Sequence, residues 1–445
     1  MRILIAAHGF PPTHSGGAER RAERMANWFS KNQHEVEVFA VEDVSQPGFQ
    51  VQTTIQNGYP VHRVYYDVND SSDPFRNLYD NPQIGATFSE FLAGKQFDLV
   101  HIVSGYLLGG QIIHAAKARA LPVVITLTEY WFMCTRLNLI QATGAVCSGP
   151  ESDLKCARCV MEEKRRYRLP ARLIPGMMDA AWSVLQRVPE VRQTADKITV
   201  RRTVLHDALN ATDMVICPSQ FLISKFGEFG FDTRNYVFLR QGLATPKANK
   251  PAAKPADQNL LRLGYIGQIA FHKGVDLLVD AVIKLLDEGH QISLDLWGSE
   301  SQEPEYTAQL KARAAPYPAI RWNGSYTGAK VWDVLSELDM LVVPSRWYEN
   351  SPNVILEAYE MGLPVIATGL GGMAELVQRE KSGLLFDINN ADSLAAQIRR
   401  VKAEDNLLSH LKAGVPTIKT IEEEMQETLL LYQQLIERRL NSERL

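Results

Sequence analysis

The sequence predicts an α/β protein made of two Rossmann-like domains, and three observations carry that reading. Short apolar runs alternate with helical stretches along the chain, the pattern of β/α units around a parallel sheet. That cycle opens twice with a strand and a glycine-containing loop, first at RILIAAH and again at RLGYIGQ. Between the two cycles, residues 244–259 read ATPKANKPAAKPADQN, with three prolines, three lysines and no large apolar residue, as an exposed linker does.

Taken in order, the first domain spans residues 1–243. RILIAAH reads as a buried strand, GFPPTHSGG as a loop, and AERRAERMANWFSKN as a helix with Ala22, Met25, Ala26 and Phe29 on one face. The runs EVEVFA, VHRVYY, DLVHIVS, PVVITLT and DMVICPS supply further strands, and residues near 130–202 form a cysteine-containing basic insertion. The second domain, residues 260–417, has strands at RLGYIGQ, QISLDLWG, AIRWNG, DMLVVPS and LPVIATG. Its helices include GVDLLVDAVIKLLDEG and PNVILEAYEMG. Residues 418–445 read as one amphipathic helix returning toward the first domain. The cleft between two such halves is the natural ligand site.

Composition narrows the function classes. With 47 Lys+Arg against 51 Asp+Glu, the net charge of -4 gives no general reason to bind nucleic acid. Hydrophobic residues at 45% and charged residues at 22% fit an ordered globular chain. No stretch approaches the ~18 to 20 consecutive apolar residues of a spanning helix, and no signal peptide is evident. Five cysteines are too few for a secreted disulfide scaffold, so a cytoplasmic location is expected.

The most informative segment is PSRWYENSPNVILEAYEMGLPVIATGLGGMAELV. Glu349 falls in a loop and Glu357 on the helix that follows. Asn350, Ser351 and the helix opening at Pro352 present free backbone N–H groups at a positive helix end, which suits a phosphate. Two acids at this spacing also fit a solvated Glu349 and a Glu357 that caps or pairs. Upstream, GYIGQIAFHKGVDLL places Lys273 at a helix start, where an ammonium can neutralise a diphosphate. A surface lysine there would oppose the helix dipole by ~0.3 to 1 kcal/mol.

The whole segment resembles the E-x7-E signature of retaining GT-B glycosyltransferases that use nucleotide-sugar donors, the glycosyltransferase family 4-like type. The resemblance runs from the SGGAER loop to the final helix and is strongest over residues 264–376. It implies that Glu349 contacts the donor sugar beside the reacting carbon and that Glu357 holds the nucleotide ribose. It makes Glu349 and Lys273 the catalytic pair and implies a donor site of Gly16, Gly17, Gln268, Lys273, Glu349, Asn350, Ser351, Asn353 and Glu357. Two departures stand out. The family usually has Arg at the position of Gln268, so a cation such as Arg346 substitutes or donor affinity is lower. Many relatives carry a His-Asp pair where this chain has Thr128 and Glu129; these two and His101 are the acceptor-side candidates.

Cys134, Cys147, Cys156 and Cys159 follow the spacing C-x12-C-x8-C-x2-C, open to a structural zinc site, to free buried thiols or to a disulfide. No Asp-x-Asp triplet suggests a catalytic metal, and no cofactor is expected for catalysis. Residues 164–202 hold ten Lys/Arg against three Asp/Glu, interleaved with Tyr167, Leu169, Leu173, Ile174, Met177, Met178 and Trp182. This patch fits an anionic membrane surface, at the inner face of the plasma membrane, or an ordinary solvated insertion.

The expected function is transfer of a hexose from a nucleoside-diphosphate sugar to a hydroxyl of a glycan or lipid-linked acceptor, with retention of configuration. The alternatives are a GT-B-fold nucleotide-sugar epimerase or phosphorylase, and a non-catalytic nucleotide-binding scaffold.

Overall fold

The computed structural model describes residues 1–14, 16–44, 48–244, 259–325 and 330–442, with the backbone alone at Arg172 and Ser442. Almost all of the expected linker lies outside the described residues. The chain divides into two compact units. The first comprises Met1–Pro218, Ile223–Leu239 and Glu422–Leu445, the second Ser219–Leu222 and Arg240–Ile421.

The first unit is built on eight strands: β1 (Arg2–His8), β2 (Glu35–Asp43), β3 (Gln50–Gln56), β4 (Tyr59–Tyr66), β5 (Leu99–Val103), β6 (Val123–Thr126), β7 (Met214–Cys217) and β8 (Tyr236–Phe238). Their order is β3-β4-β2-β1-β5-β6-β7-β8. All neighbours are parallel except β3 and β4, a hairpin that turns on Asn57 and Gly58, both at positive φ as a two-residue turn demands. β1 pairs in register with β2 on one side (Ile5 opposite Val38) and β5 on the other (Ile5 opposite His101). Ile3–Ala7 and Leu99–Val103 are buried throughout, so both read as continuous apolar runs. β3 escapes such a reading because QVQTTIQ is a polar edge strand with Val51 and Ile55 exposed.

The helix Ile421–Ser442 packs on the helix Gly17–Lys31 of the same unit, which it reaches through the Arg21–Glu424 ion pair (2.6 Å) and the Phe29–Tyr432 ring stack (5.5 Å). Between β6 and β7, the helices Asp153–Met161, Arg165–Leu173, Pro175–Leu185 and Pro189–Asn210 form the insertion. It has a small core of its own, Met161, Ala171, Met178, Trp182 and Val191. Among the described residues no helix is long and apolar enough to cross a membrane.

The second unit has six parallel strands: β9 (Leu261–Ile266), β10 (Ile292–Trp297), β11 (Ile320–Gly324), β12 (Met340–Val343), β13 (Val365–Thr368) and β14 (Gly383–Phe386). Their order is β11-β10-β9-β12-β13-β14. Two apolar clusters cover the sheet. One holds Leu278, Val282 and Leu285 of the helix Val275–Asp287; the other holds Ile355 and Leu356 of the helix Asn353–Glu360. The strand order reverses between β9 and β12, so the loops after these two strands splay to opposite faces and leave a crevice at their carboxyl ends.

Candidate active site

In the second unit, the residues singled out by sequence lie on those two loops. After β9, Phe271–Lys273 forms one 3-10 turn, and Gly274 at φ +70° begins the helix Val275–Asp287. A side chain at position 274 would put its Cβ 1.9 Å from the Pro344 carbonyl oxygen, so glycine is what lets the β9 loop meet the β12 loop. Their meeting brings Lys273 Nζ to 2.6 Å from Glu349 Oε1. The same carboxylate oxygen accepts from Trp347 Nε1 at 2.7 Å and Ser345 Oγ at 3.2 Å. The Lys273 ammonium also lies over the Trp347 ring, 5.0 Å from its centroid. Both partners of the pair are largely buried, where charge-assisted bonds exceed neutral ones in strength.

The neighbouring side chains sort into those that serve the site and those that hold it. His272 is pushed down to about 4 by burial and by the Lys273 charge, so it is neutral at physiological pH. Arg346 is one candidate to replace the family's Arg at Gln268. Its buried guanidinium grips both oxygens of Asp276, donates to the Phe271 carbonyl (3.0 Å) and to Asn389 Oδ1 (2.8 Å), and covers the Phe271 ring. Burial would raise the Asp276 carboxyl, but the hydrogen bonds from Arg346 and Tyr306 outweigh it and leave it lowered. Of the two readings of Gln268, a substituting Arg346 fits less well: Arg346 braces the two loops, with four of its five guanidinium N–H groups bonded within the unit. Gln268 itself is exposed, while its carbonyl accepts from Tyr265 OH at 2.6 Å.

Glu349 stands in the loop and Glu357 in the second turn of the helix Asn353–Glu360. Pro352 is the N-cap and its side chain caps nothing; Ile355 N–H donates to the Pro352 carbonyl at 3.1 Å, which leaves the Asn353 and Val354 N–H groups for another acceptor. Asn350 is buried, and the buried Ser351 Oγ has no hydrogen-bond partner among the described residues. Gln241 Nε2 holds the Ser351 carbonyl (2.6 Å) and Asn353 Oδ1 (3.0 Å). Gly372 N–H donates to the Glu349 carbonyl at 2.7 Å, and a Cβ on Gly372 would fall 1.8 Å from the Asn350 carbonyl oxygen. Sequence reasoning missed Ser345, Trp347 and Gln241; the first two were visible in PSRWYENS, the third had no local signal.

In the first unit the glycine pair follows the carboxyl end of β1, and Thr128 and Glu129 follow that of β6. Gly16 is the N-cap of the helix Gly17–Lys31 and both glycines are exposed. The buried Glu19 reaches back to within 3.7 Å of His8 Nε2. The loop before Gly16 is pinned by a fully buried carboxylate that the sequence reading overlooked: Glu42 pairs with Arg63 at 2.5 Å, contacts His14, and accepts from Phe10 N–H at 3.2 Å. Arg63 completes the clasp by donating to the Phe10 and Pro11 carbonyls. Glu129 accepts from Ser104 Oγ at 2.9 Å and from Thr128 Oγ1, so these hydroxyls orient the carboxylate where the family's His-Asp pair was expected.

His101 is corrected. It lies in the interior of the first unit, with Nε2 at 2.8 Å from Thr126 Oγ1 and Nδ1 against Tyr432 OH. Burial lowers it to about 3, so it is a neutral core histidine with no face left for an acceptor. Within the basic patch, Arg201 is likewise interior. It donates to the Trp131 carbonyl and lies over the Trp131 ring, and burial brings it down to about 10. Cys134, Cys147, Cys156 and Cys159 line one cavity of the insertion, and Cys217 lies in β7 within the core.

Comparison with known proteins bears on both units. Residues 261–404 match the family described as glycosyl transferases group 1, and residues 16–242 match the glycosyl transferase 4-like domain. The chain belongs to the glycosyltransferase 4-like family. The first match covers Lys273, Glu349 and Glu357, the second Gly16, Gly17, Thr128 and Glu129.

Curated relatives of this glycosyltransferase 4-like chain include a lipopolysaccharide core biosynthesis mannosyltransferase of Rhizobium meliloti, 31% identical over 38% of this chain and 49% of the relative. A GDP-mannose-dependent alpha-mannosyltransferase of Mycobacterium tuberculosis is 23% identical over 87% of this chain and 84% of its own length. The chain spans about half the length of several curated relatives it matches, from 35% to 55%. Among solved structures, sucrose-phosphate synthase from Thermosynechococcus elongatus superposes with TM-score 0.65 at 18% identity, covering 98% of this chain and all of that one. Anabaena HepE in complex with UDP gives TM-score 0.64 at 16% identity, with 98% and 100% covered. At these identities the likeness shows the fold, which is GT-B.

Proposed function

We propose that this chain transfers a hexose from a nucleoside-diphosphate sugar to a hydroxyl of a glycan or lipid-linked acceptor, with retention of configuration. The observation that carries the reading is the Lys273–Glu349 pair at the β9/β12 strand switch. As the glycosidic bond breaks, negative charge grows on the departing diphosphate and positive charge on the sugar carbon. A cation and a carboxylate held side by side answer both, provided the ammonium turns to the phosphate while the carboxylate faces the sugar. The open N–H groups at Asn353 and the Ser351 hydroxyl would add donors for phosphate, and Glu357 would clasp the ribose hydroxyls. The departing phosphate itself takes the acceptor proton, which removes the need for a histidine base. The reading is supported by relatives named as mannosyltransferases and by the UDP bound in the HepE structure.

The experiment is a panel of nucleoside-diphosphate sugars offered with glycan and polyprenyl-phosphate-linked acceptors, following nucleoside diphosphate release and the anomeric configuration of product by NMR. A glycosylated product of the donor's own configuration is expected. Epimerised sugar nucleotide, or tight nucleotide binding without turnover on any acceptor, would hand the reading to the epimerase or scaffold alternatives.

The acceptor side is read as membrane-facing from the helices Arg165–Leu173 and Pro175–Leu185. There Leu169, Leu173, Ile174, Met177, Val184 and Val188 are exposed, a concentration of apolar surface that an anionic lipid headgroup layer would cover. Arg165, Arg168, Arg187 and Arg192 are exposed on the same insertion and have no ion-pair partner among the described residues.

A further inference from the structure

Four of the chain's five cysteines line a single cavity of 230 Å³. They come from three segments, each fixed independently of the others. Cys134 ends a turn closed by its own N–H to the Tyr130 carbonyl at 2.7 Å. Cys147 follows the Ile140–Val146 bridge and donates its N–H to the Leu139 carbonyl at 2.7 Å. Cys156 and Cys159 lie three apart on the helix Asp153–Met161, and therefore on one face of it. That helix is tied to the helix Pro189–Asn210 by Asp153, which pairs with Arg202 at 2.8 Å and accepts from Thr199 Oγ1 at 2.6 Å.

All four thiols are free. The two carboxylates on the cavity wall are committed elsewhere: Glu162 to Arg158 and Trp182, Asp179 to Arg158. The sulfurs are thus the wall's soft ligands, the Cys147 thiol donating only a weak bond to the Gly149 carbonyl at 3.5 Å. We propose that this cavity is a structural zinc site, closed by the thiolates of Cys134, Cys147, Cys156 and Cys159. Binding displaces one proton from each thiol, leaving four Zn–S bonds and a site of net charge two minus. The metal would staple residues 134–147, which have no long strand or helix of their own, to the helical insertion.

Among the described residues no three such groups already stand together as a metal site, so binding requires the sulfurs to draw closer together. Rotation between staggered χ1 wells moves a cysteine sulfur by about 3 Å, and a tetrahedral site with Zn–S of roughly 2.3 Å needs sulfurs about 3.8 Å apart. The proposal does not rest on the glycosyl-transfer reading and stands or falls separately from it.

The test uses the full chain purified without chelator or added metal. Elemental analysis should find about one zinc per chain, released by a thiol-specific mercurial in step with the loss of four thiols. After removal of zinc, cobalt(II) alone should give the intense sulfur-to-metal charge-transfer bands of a tetrahedral thiolate site. The double variant Cys156→Ser with Cys159→Ser, checked for folding by circular dichroism, should hold no zinc. Absence of zinc together with no cobalt band would overturn the proposal, as would iron in its place, a disulfide among the four cysteines in alkylation mass spectrometry, or zinc retained by the double variant. The cobalt titration of the unaltered chain keeps the question open to decision even if the variant fails to fold.

Discussion

Lys273 Nζ lies 2.6 Å from Glu349 Oε1, although 76 residues of chain separate them. The two loops that carry them diverge from adjacent strands at the point where the strand order of the second sheet reverses. A bound diphosphate would compete with Glu349 for this ammonium, so the pair defines what each substitution should do.

Lys273→Ala should weaken nucleoside-diphosphate binding far more than nucleoside binding, because an ammonium answers phosphate and not base. A lost charge-assisted bond of about 1.5 to 3 kcal/mol corresponds to roughly 10- to 150-fold in Kd. Calorimetry that finds equal loss for both ligands would reject the assignment.

The two glutamates should separate kinetically. On the proposed reading, Glu357→Gln would weaken a contact to ribose made before and during reaction, raising KM and product Kd together. On the same reading, Glu349→Gln removes a carboxylate whose value grows as charge develops on the sugar, so kcat should fall by about 100-fold or more, while nucleotide Kd stays level or falls because Lys273 is released to the diphosphate. If both variants shift nucleotide binding alike and leave kcat alone, Glu349 does not serve the sugar.

His101 should make the first unit acid-sensitive. Its folded value of about 3 lies below the ordinary 6.5, so the unfolded chain takes the proton first. The stability contributed by burying it neutral is complete above pH 6.5 and is lost progressively as pH falls toward 3, at about 1.4 kcal/mol per pH unit at most. His101→Gln should flatten the fall in unfolding free energy between pH 6 and 4 by roughly one proton's worth. Parallel pH profiles for the two proteins would show that His101 is not the sensor.

Gly274→Ala and Gly362→Ala form a matched pair, both at φ near +70°. A Cβ at 362 meets nothing within 4 Å, whereas one at 274 meets the Pro344 carbonyl at 1.9 Å. Gly362→Ala should cost about 1 to 2 kcal/mol from left-handed strain alone, Gly274→Ala about 1 to 3 kcal/mol more. Gly274→Ala should also loosen the Lys273–Glu349 pair, lowering nucleotide affinity. Denaturant midpoints that fall equally would mean the close approach of the two loops carries no weight.

Neutralising Arg165, Arg168, Arg187 and Arg192 together should reduce flotation with anionic vesicles, at about 1 kcal/mol per basic residue near the headgroups, and leave binding to neutral vesicles unchanged. Unaltered flotation would leave the exposed apolar row as ordinary insertion surface.

What the sequence determined by itself was the local grammar. Eleven strands and the helices Gly17–Lys31, Val275–Asp287, Asn353–Glu360 and Ile421–Ser442 were legible because continuous apolar runs and 3.6-residue periodicity are properties of contiguous residues. So was the placement of Glu349 in a loop and Glu357 on a helix. β3 and β8 were not legible, since a polar edge strand and a run of three residues carry too little pattern; β14, as apolar and as long as other strands that were read, was simply missed. Tertiary structure decided which side chains meet. Arg346 and Lys273 are both cations near the same loops, yet Asp276 claims one and Glu349 the other. His101 sits mid-way along the apolar strand β5, and its partners, Thr126 on β6 and Tyr432 on a helix 331 residues away, make it part of the core. The cysteine spacing allowed several pairings, and the convergence of four sulfurs on one cavity depends on how a loop packs against a helix. Such meetings follow from burial and charge pairing between distant segments, which no local window contains.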